Sequence, residues 1–245
     1  MNVRRVLRIT GTSLVVAGAL ALIWVGVVWR WQDPFTALYT HWKQHQLAKS
    51  YERRFAAYHP IHRLDQRATA AATLRSIARE ARRYRLDSHR GQAIGWIVVP
   101  RLGLNMILVN GTDDASLKKG PGRDLRTYMP GEGQLIYIAG HRTTYLAPFA
   151  HIDKLRQGDW VTLEVPYGTF KYRIFRHVIV GADDLAVLRS HGREVVALQA
   201  CHPRFFASHR YIAYGRLVRV EPRGGRWLSA PATRLAAAPL AAAQG

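Results

Sequence analysis

The chain has 245 residues, 48% of them hydrophobic, with 36 Lys and Arg against 16 Asp and Glu for a formal net charge of +20. That leaves room for one domain of ordinary size plus flanking segments, and the composition excludes wholesale disorder. A single cysteine, Cys201, excludes an intramolecular disulfide and a zinc site built from several thiolates. Fourteen of the twenty excess charges fall outside residues 91–221. A nucleic-acid-binding domain concentrates basic residues on its own surface, so this distribution points away from nucleic acid and towards an anionic membrane or cell wall.

Arg4, Arg5 and Arg8 precede an uncharged run of 21 residues from Ile9 to Trp29, about the 20 needed to cross a hydrocarbon core as a helix. Trp24, Trp29 and Trp31 fall towards its carboxyl end, where an interfacial aromatic belt belongs. Residues 1–30 are therefore expected to form an N-terminal transmembrane anchor. A cleavable signal peptide competes, because Ala19-Leu20-Ala21 resembles a small-residue cleavage site. Cleavage there would leave a strongly apolar remainder. The amino-terminal arginines favour a cytoplasmic start and an external domain, although Arg30, Lys43 and Lys49 on the other side weaken that bias.

Residues 31–90 read as a helical stalk or cover, with a partner-binding helix pair as the alternative. Phe35, Leu38, Tyr39, Trp42, Leu47, Tyr51, Phe55 and Tyr58 recur mostly three or four apart until Pro60. A second helical stretch is expected over 67–84, with Leu74, Ile77, Ala78 and Ala81 on one face. From Ile94 the period changes to two. About eight strands are expected over 94–99, 104–109, 134–138, 160–165, 169–174, 177–180, 195–198 and 212–218, divided by Gly, Pro, Asn and Asp turn signals. This pattern predicts an all-β barrel or sandwich over 91–221. Asp113-Asp114 suggests a short capped helix. Residues 222–245 show no usable periodicity and are expected to be disordered.

Cys201 follows the apolar run Val195–Ala200, where a residue is rigidly held below and open above. A packed, inert cysteine is the competing reading. Pro203 indicates that regular pairing stops at the thiol, and Arg204 and Arg210 supply nearby positive charge. His141 follows another strand and the permissive Gly140. A solvated loop histidine is the bland reading, and His151, His202 and His209 compete as the base. No P-loop, dinucleotide fingerprint or serine elbow is present in the sequence, and no His-x-His or His-x₃-His pair stands near His141.

The stretch from Ile94 to Val220 resembles a sortase, most like the class E group of high-G+C Gram-positive bacteria. Four segments carry the resemblance in order: Ile94-Gly-Trp-Ile-Val-Val-Pro-Arg-Leu-Gly103, Leu117-Lys-Lys-Gly-Pro-Gly122, Ala139-Gly-His-Arg-Thr-Thr-Tyr-Leu-Ala-Pro-Phe149 with Asp153-Lys-Leu155, and Leu198-Gln-Ala-Cys-His-Pro-Arg-Phe with Arg210-Tyr-Ile212. The resemblance implies an eight-stranded β-barrel with short helices and three catalytic residues: Cys201 as nucleophile, His141 as acid and base, and Arg210 as the cation beside the reacting carbonyl. Tyr145, Ala200 and Pro203 flank these positions as candidate substrate contacts. It further implies a single-pass bacterial membrane protein with an extracellular catalytic domain, working without a metal or other cofactor, calcium dependence being open. Its substrates would be secreted proteins ending in a Leu-Pro/Ala-x-Thr-Gly-type signal, passed to an amine such as a peptidoglycan precursor or a pilin lysine. The family usually reads Thr-Leu-x-Thr-Cys, whereas this chain has Ala197-Leu-Gln-Ala200-Cys201, so the hydroxyl before the nucleophile is missing. That departure leaves a catalytically impaired binding module as the alternative.

Overall fold

A computed structural model describes residues 3–31, 34–60 and 69–229. Helix α1 (Val3–Trp31) carries a span, Arg4–Gly26, long and apolar enough to cross a membrane. None of that span is covered by the rest of the chain, so it is a candidate membrane anchor.

Helices α2 (Pro34–Ala57) and α3 (Ala70–Asp87) pack on a sheet instead of standing free. The Gln44 amide on α2 accepts from the Ile107 N–H at 2.7 Å and donates to the Ile107 carbonyl at 3.1 Å and the Lys119 carbonyl at 2.7 Å. It serves backbone groups that a longer neighbouring strand would otherwise pair. Thr69 caps α3 by accepting from Ala72 N–H at 3.3 Å. Ile77, Ala81 and Tyr84, spaced one helical turn apart, enter the main core. Leu74 and Ala78, expected on the same face, are half-buried.

The strands are β1 (Ala93–Val99), β2 (Leu104–Asn110), β3 (Gly122–Arg123), β4 (Leu135–Ala139), β5 (Trp160–Val165), β6 (Gly168–Gly181), β7 (Val195–His202), β8 (His209–Pro222) and β9 (Leu228–Ser229). Their order is β6-β5-β1-β2-β3-β4-β7-β8, and a β6–β8 pairing closes the eight into a barrel, with β9 added to β8. The short helix α4 (Asp114–Leu117) is capped by Asp113, which accepts from Ser116 N–H at 3.1 Å.

Three expectations change. The strands expected at 169–174 and 177–180 are one, β6: Ile174 faces Gly215 and Arg176 faces Tyr214, so Phe175 is absorbed as a bulge. Strand β7 runs past Cys201, since Cys201 pairs with Arg210 and His202 with His209 before Pro203 stops it. The segment after Pro222 stays attached through Ser229, because β9 pairs with Arg219 and Val220 and Lys171 Nζ lies 4.9 Å over the Trp227 ring. The remainder of that expected tail, 230–245, lies outside the described residues, as do 61–68 of the helical segment.

Side chains alternate across the barrel wall. Ile136, Ile138, Val196 and Leu198 enter the main core, while Leu135, Tyr137, Ala197 and Ile212 form a second cluster on the opposite face.

Candidate active site

Strands β4 and β7 are parallel and in register, Ala139 opposite Gln199. His141 follows two residues past Ala139, just beyond the end of β4, and Cys201 two past Gln199 on β7, so both come at the same end of this strand pair. On the other side of β7, Cys201 lies directly opposite Arg210 of antiparallel β8, so both side chains leave the same face. By alternation that is the face of Ala197 and the second cluster. The half-buried thiol is free.

His141 is held by the loop that follows it. Phe149 N–H donates to the His141 carbonyl at 3.1 Å, and Ala147 N–H to the Thr144 carbonyl at 2.8 Å. Gly140 makes this turn possible: a Cβ there would lie 2.7 Å from Cδ2 of Phe149, a fully buried ring. Tyr145, Leu146 and Ala147 follow in the left-handed region, with φ of 53°, 61° and 38°, which is strained for side chains carrying a Cβ. The Tyr145 ring lies 5.1 Å from the imidazole. Burial holds the His141 pKa below its ordinary value; Asp114 opposes this and Lys118 adds to it. Nε2 of His141 is buried without a hydrogen-bond partner among the described residues.

Two of the three competing histidines are otherwise engaged. Nδ1 of His202 faces Nη1 of Arg142 at 3.0 Å. A guanidinium can only donate, so Nδ1 is the acceptor and the neutral ring carries its proton on Nε2. His209 is exposed and its Nδ1 lies 2.9 Å from Ser208 Oγ. His151 is exposed at the far end of the histidine loop.

Arg210 Nη1 donates to the carbonyls of Ala207 at 2.7 Å and His209 at 3.0 Å. These bonds fix the guanidinium plane against the β7–β8 loop while leaving Nε and Nη2 outside them. Tyr145 lies beside the imidazole, and Pro203 is exposed just past the thiol. Ala200 is fully buried in the main core, so its side chain leaves the face of β7 opposite to Cys201.

Two contributions escaped the sequence reading. Arg142 and Asp153 join at 2.8 Å, and Arg142 also reaches the Cys201 carbonyl at 3.2 Å. The first turn of α2 touches the histidine loop: Tyr145 N–H donates to Thr36 Oγ1 at 3.1 Å, and the Tyr39 and Tyr145 rings lie 6.4 Å apart. A basic residue directly after His141 was the one visible signal, and nothing local identifies its partners. Among the described residues, no three His, Cys, Asp or Glu side chains stand together as a metal site.

A thiol, an imidazole with an unpaired nitrogen and a fixed cation, carried by neighbouring segments at one end of the sheet, are the groups that nucleophilic acyl transfer uses. Comparison with known proteins agrees. A family model described as a sortase domain matches residues 97–218. Sortase D of Bacillus subtilis is 31% identical over 203 residues, covering 81% of this chain and 96% of that protein. In overall fold, a Clostridium perfringens sortase D5 transpeptidase is similar with a TM-score of 0.56 at 21% identity, covering 72% of this chain and 98% of the other. Sortase E1 of Streptomyces coelicolor, solved with a tripeptide in its active site, gives a TM-score of 0.51 at 25% identity over 55% of this chain and 93% of the other. Likeness to both D and E sortases does not single out the class E group.

Proposed function

The chain belongs to the sortase family of cysteine transpeptidases, and we propose that it is a single-pass membrane enzyme using Cys201, His141 and Arg210 to cut a Leu-Pro/Ala-x-Thr-Gly-type signal between Thr and Gly. The observation that supports this reading is the register: Ala139 against Gln199 and Cys201 against Arg210 bring the segments that carry the three residues to one end of the sheet.

In the first half-reaction, Cys201 sulfur attacks the threonine carbonyl carbon, its proton passing to His141 Nε2. The free N–H groups of Arg210 face the developing oxyanion; removing one such donor typically costs on the order of 10²–10³ in rate. His141 then protonates the departing glycine amine, the C–N bond breaks, and a thioacyl enzyme remains. In the second half, an amine attacks that carbonyl, gives its proton to His141, and the C–S bond breaks to restore the thiol. The acceptor is an amine of a peptidoglycan precursor or a pilin lysine. Anchoring through α1, with the barrel outside the cell, would raise the local concentration of membrane-held substrates.

The binding-module alternative drew on Ala200. With that side chain in the core, the absent hydroxyl removes nothing from the Cys201 face, so no observation favours impairment. The test is mass spectrometry of the detergent-solubilised chain incubated with Leu-Pro-x-Thr-Gly and Leu-Ala-x-Thr-Gly peptides. A thioacyl adduct on Cys201 that vanishes in C201A and H141A is expected. Peptide binding with no adduct, retained in C201A, would replace the enzyme with a binder.

A further inference from the structure

The parallel ladder between β4 and β7 ends where Gly140 N–H donates to the Gln199 carbonyl at 3.0 Å. Were β4 to continue, the next carbonyl along that edge of β7, that of Cys201, would accept the backbone N–H of residue 142. The chain turns away at His141 instead. The Cys201 carbonyl is nonetheless bonded, because Nη1 of the Arg142 side chain donates to it at 3.2 Å. The same nitrogen donates to His202 Nδ1 at 3.0 Å, and Nη2 donates to Asp153 Oδ1 at 2.8 Å. Arg142 is only 6% exposed, and its paired carboxylate lies 49% exposed at the loop's far end. One side chain thus replaces the missing rung, from the residue next to His141 to the residue thought to attack.

We propose that Arg142 is a positioning residue for acyl transfer, resting on the reading of Cys201 and His141 as the reacting pair. It fixes the main chain of Cys201 against the histidine loop and holds His202 in the Nε2–H form, which withdraws that ring's other nitrogen from competing as a base. Asp153 holds the guanidinium in place. Arginine suits the role because its planar fork reaches three acceptors in fixed directions, whereas a lysine ammonium serves them from one nitrogen. The guanidinium touches no reacting atom, so its loss alters the distance between the reacting groups more than the binding of substrate.

The test compares full-length R142Q, R142K and D153N in detergent. Four quantities are read: peptide-cleavage kcat and KM, the alkylation rate of Cys201 by iodoacetamide, ring ¹⁵N shifts of His202, and unfolding temperature. Misplacement by about 1 Å costs on the order of 100-fold, so R142Q should lose about that in kcat with KM within about 3-fold. R142K should recover about 10-fold of the loss, and D153N should lose less than about 10-fold. The His202 Nδ1 resonance should move in R142Q. An R142Q kcat within about 3-fold of the unaltered chain overturns the proposal, as does an equal kcat in R142Q and R142K. Should R142Q not fold, R142K with full kcat overturns it equally. If the unaltered chain cuts no peptide, the function reading falls by itself; unchanged Cys201 alkylation and unchanged His202 shifts in R142Q would then sink the positioning claim separately.

Discussion

Glu194 stands one residue before β7 and joins that strand to the turn leading into β4. The residue is half-buried, and its carboxylate turns inward. Oε1 accepts from Gly131 N–H and Tyr172 O–H, both at 2.8 Å, and Oε2 from Gly133 N–H at 2.9 Å. Burial pushes its pKa from 4.5 up to about 7 against the pull of those three donors, with Glu132 adding to the rise. At 1.36 kcal/mol per pH unit of displacement, that difference is worth roughly 3 kcal/mol between the protonated and ionised forms. A carboxyl raised on folding contributes stability that is complete below 4.5 and is lost as pH climbs through about 7. Between pH 5 and pH 8 the unaltered chain should therefore lose about 2–3 kcal/mol relative to E194Q, roughly 5–10 °C in unfolding temperature. Urea unfolding followed by tryptophan fluorescence at each pH measures this directly. The buried histidines, whose lowered values cost stability as pH falls, are present in both proteins and cancel. A difference flat to within about 0.5 kcal/mol across that range would mean the three donors keep the carboxylate ionised throughout, refuting the reasoning.

Two further outcomes bear on the histidine loop. Because burial and the Lys118 cation both disfavour the imidazolium of His141, the acid limb of the kcat/KM profile should lie below the ordinary histidine value. Lys118→Gln should move that limb to higher pH and Asp114→Asn to lower pH, read from peptide cleavage across pH; opposite movements would contradict the assignment. Gly140→Ala puts a methyl group 2.7 Å from the buried Phe149 ring. It should cost about 1–3 kcal/mol in denaturant unfolding and lower turnover with it, whereas unchanged stability would show that the loop yields freely.

Much of the scaffold was legible locally. The strand at Trp160–Val165, the cap at Asp113 and the helical spacing of Ile77 and Ala81 each follow from alternation, capping or a 3.6-residue period within a few residues. Phe175 and Pro203 show the limit of that reading. A bulge let β6 continue where the pattern broke, and pairing with β8 carried β7 one residue past the thiol. Ala200 adjoins Cys201 in sequence, yet neighbours in a strand lie on opposite faces.

What the residues determined by themselves was the apolar N-terminal run, a β-rich region with short turns, and one thiol with a strand-end histidine and a later arginine as candidates. Only the tertiary structure decided that β6 and β8 close the barrel, that Gln44 serves Ile107, and that Arg142 reaches the main chain of Cys201, 59 positions away. Backbone period is set by each residue and its near neighbours, whereas a partner across the sheet is set by register. Register depends on which apolar faces bury together and where loops allow strands to meet.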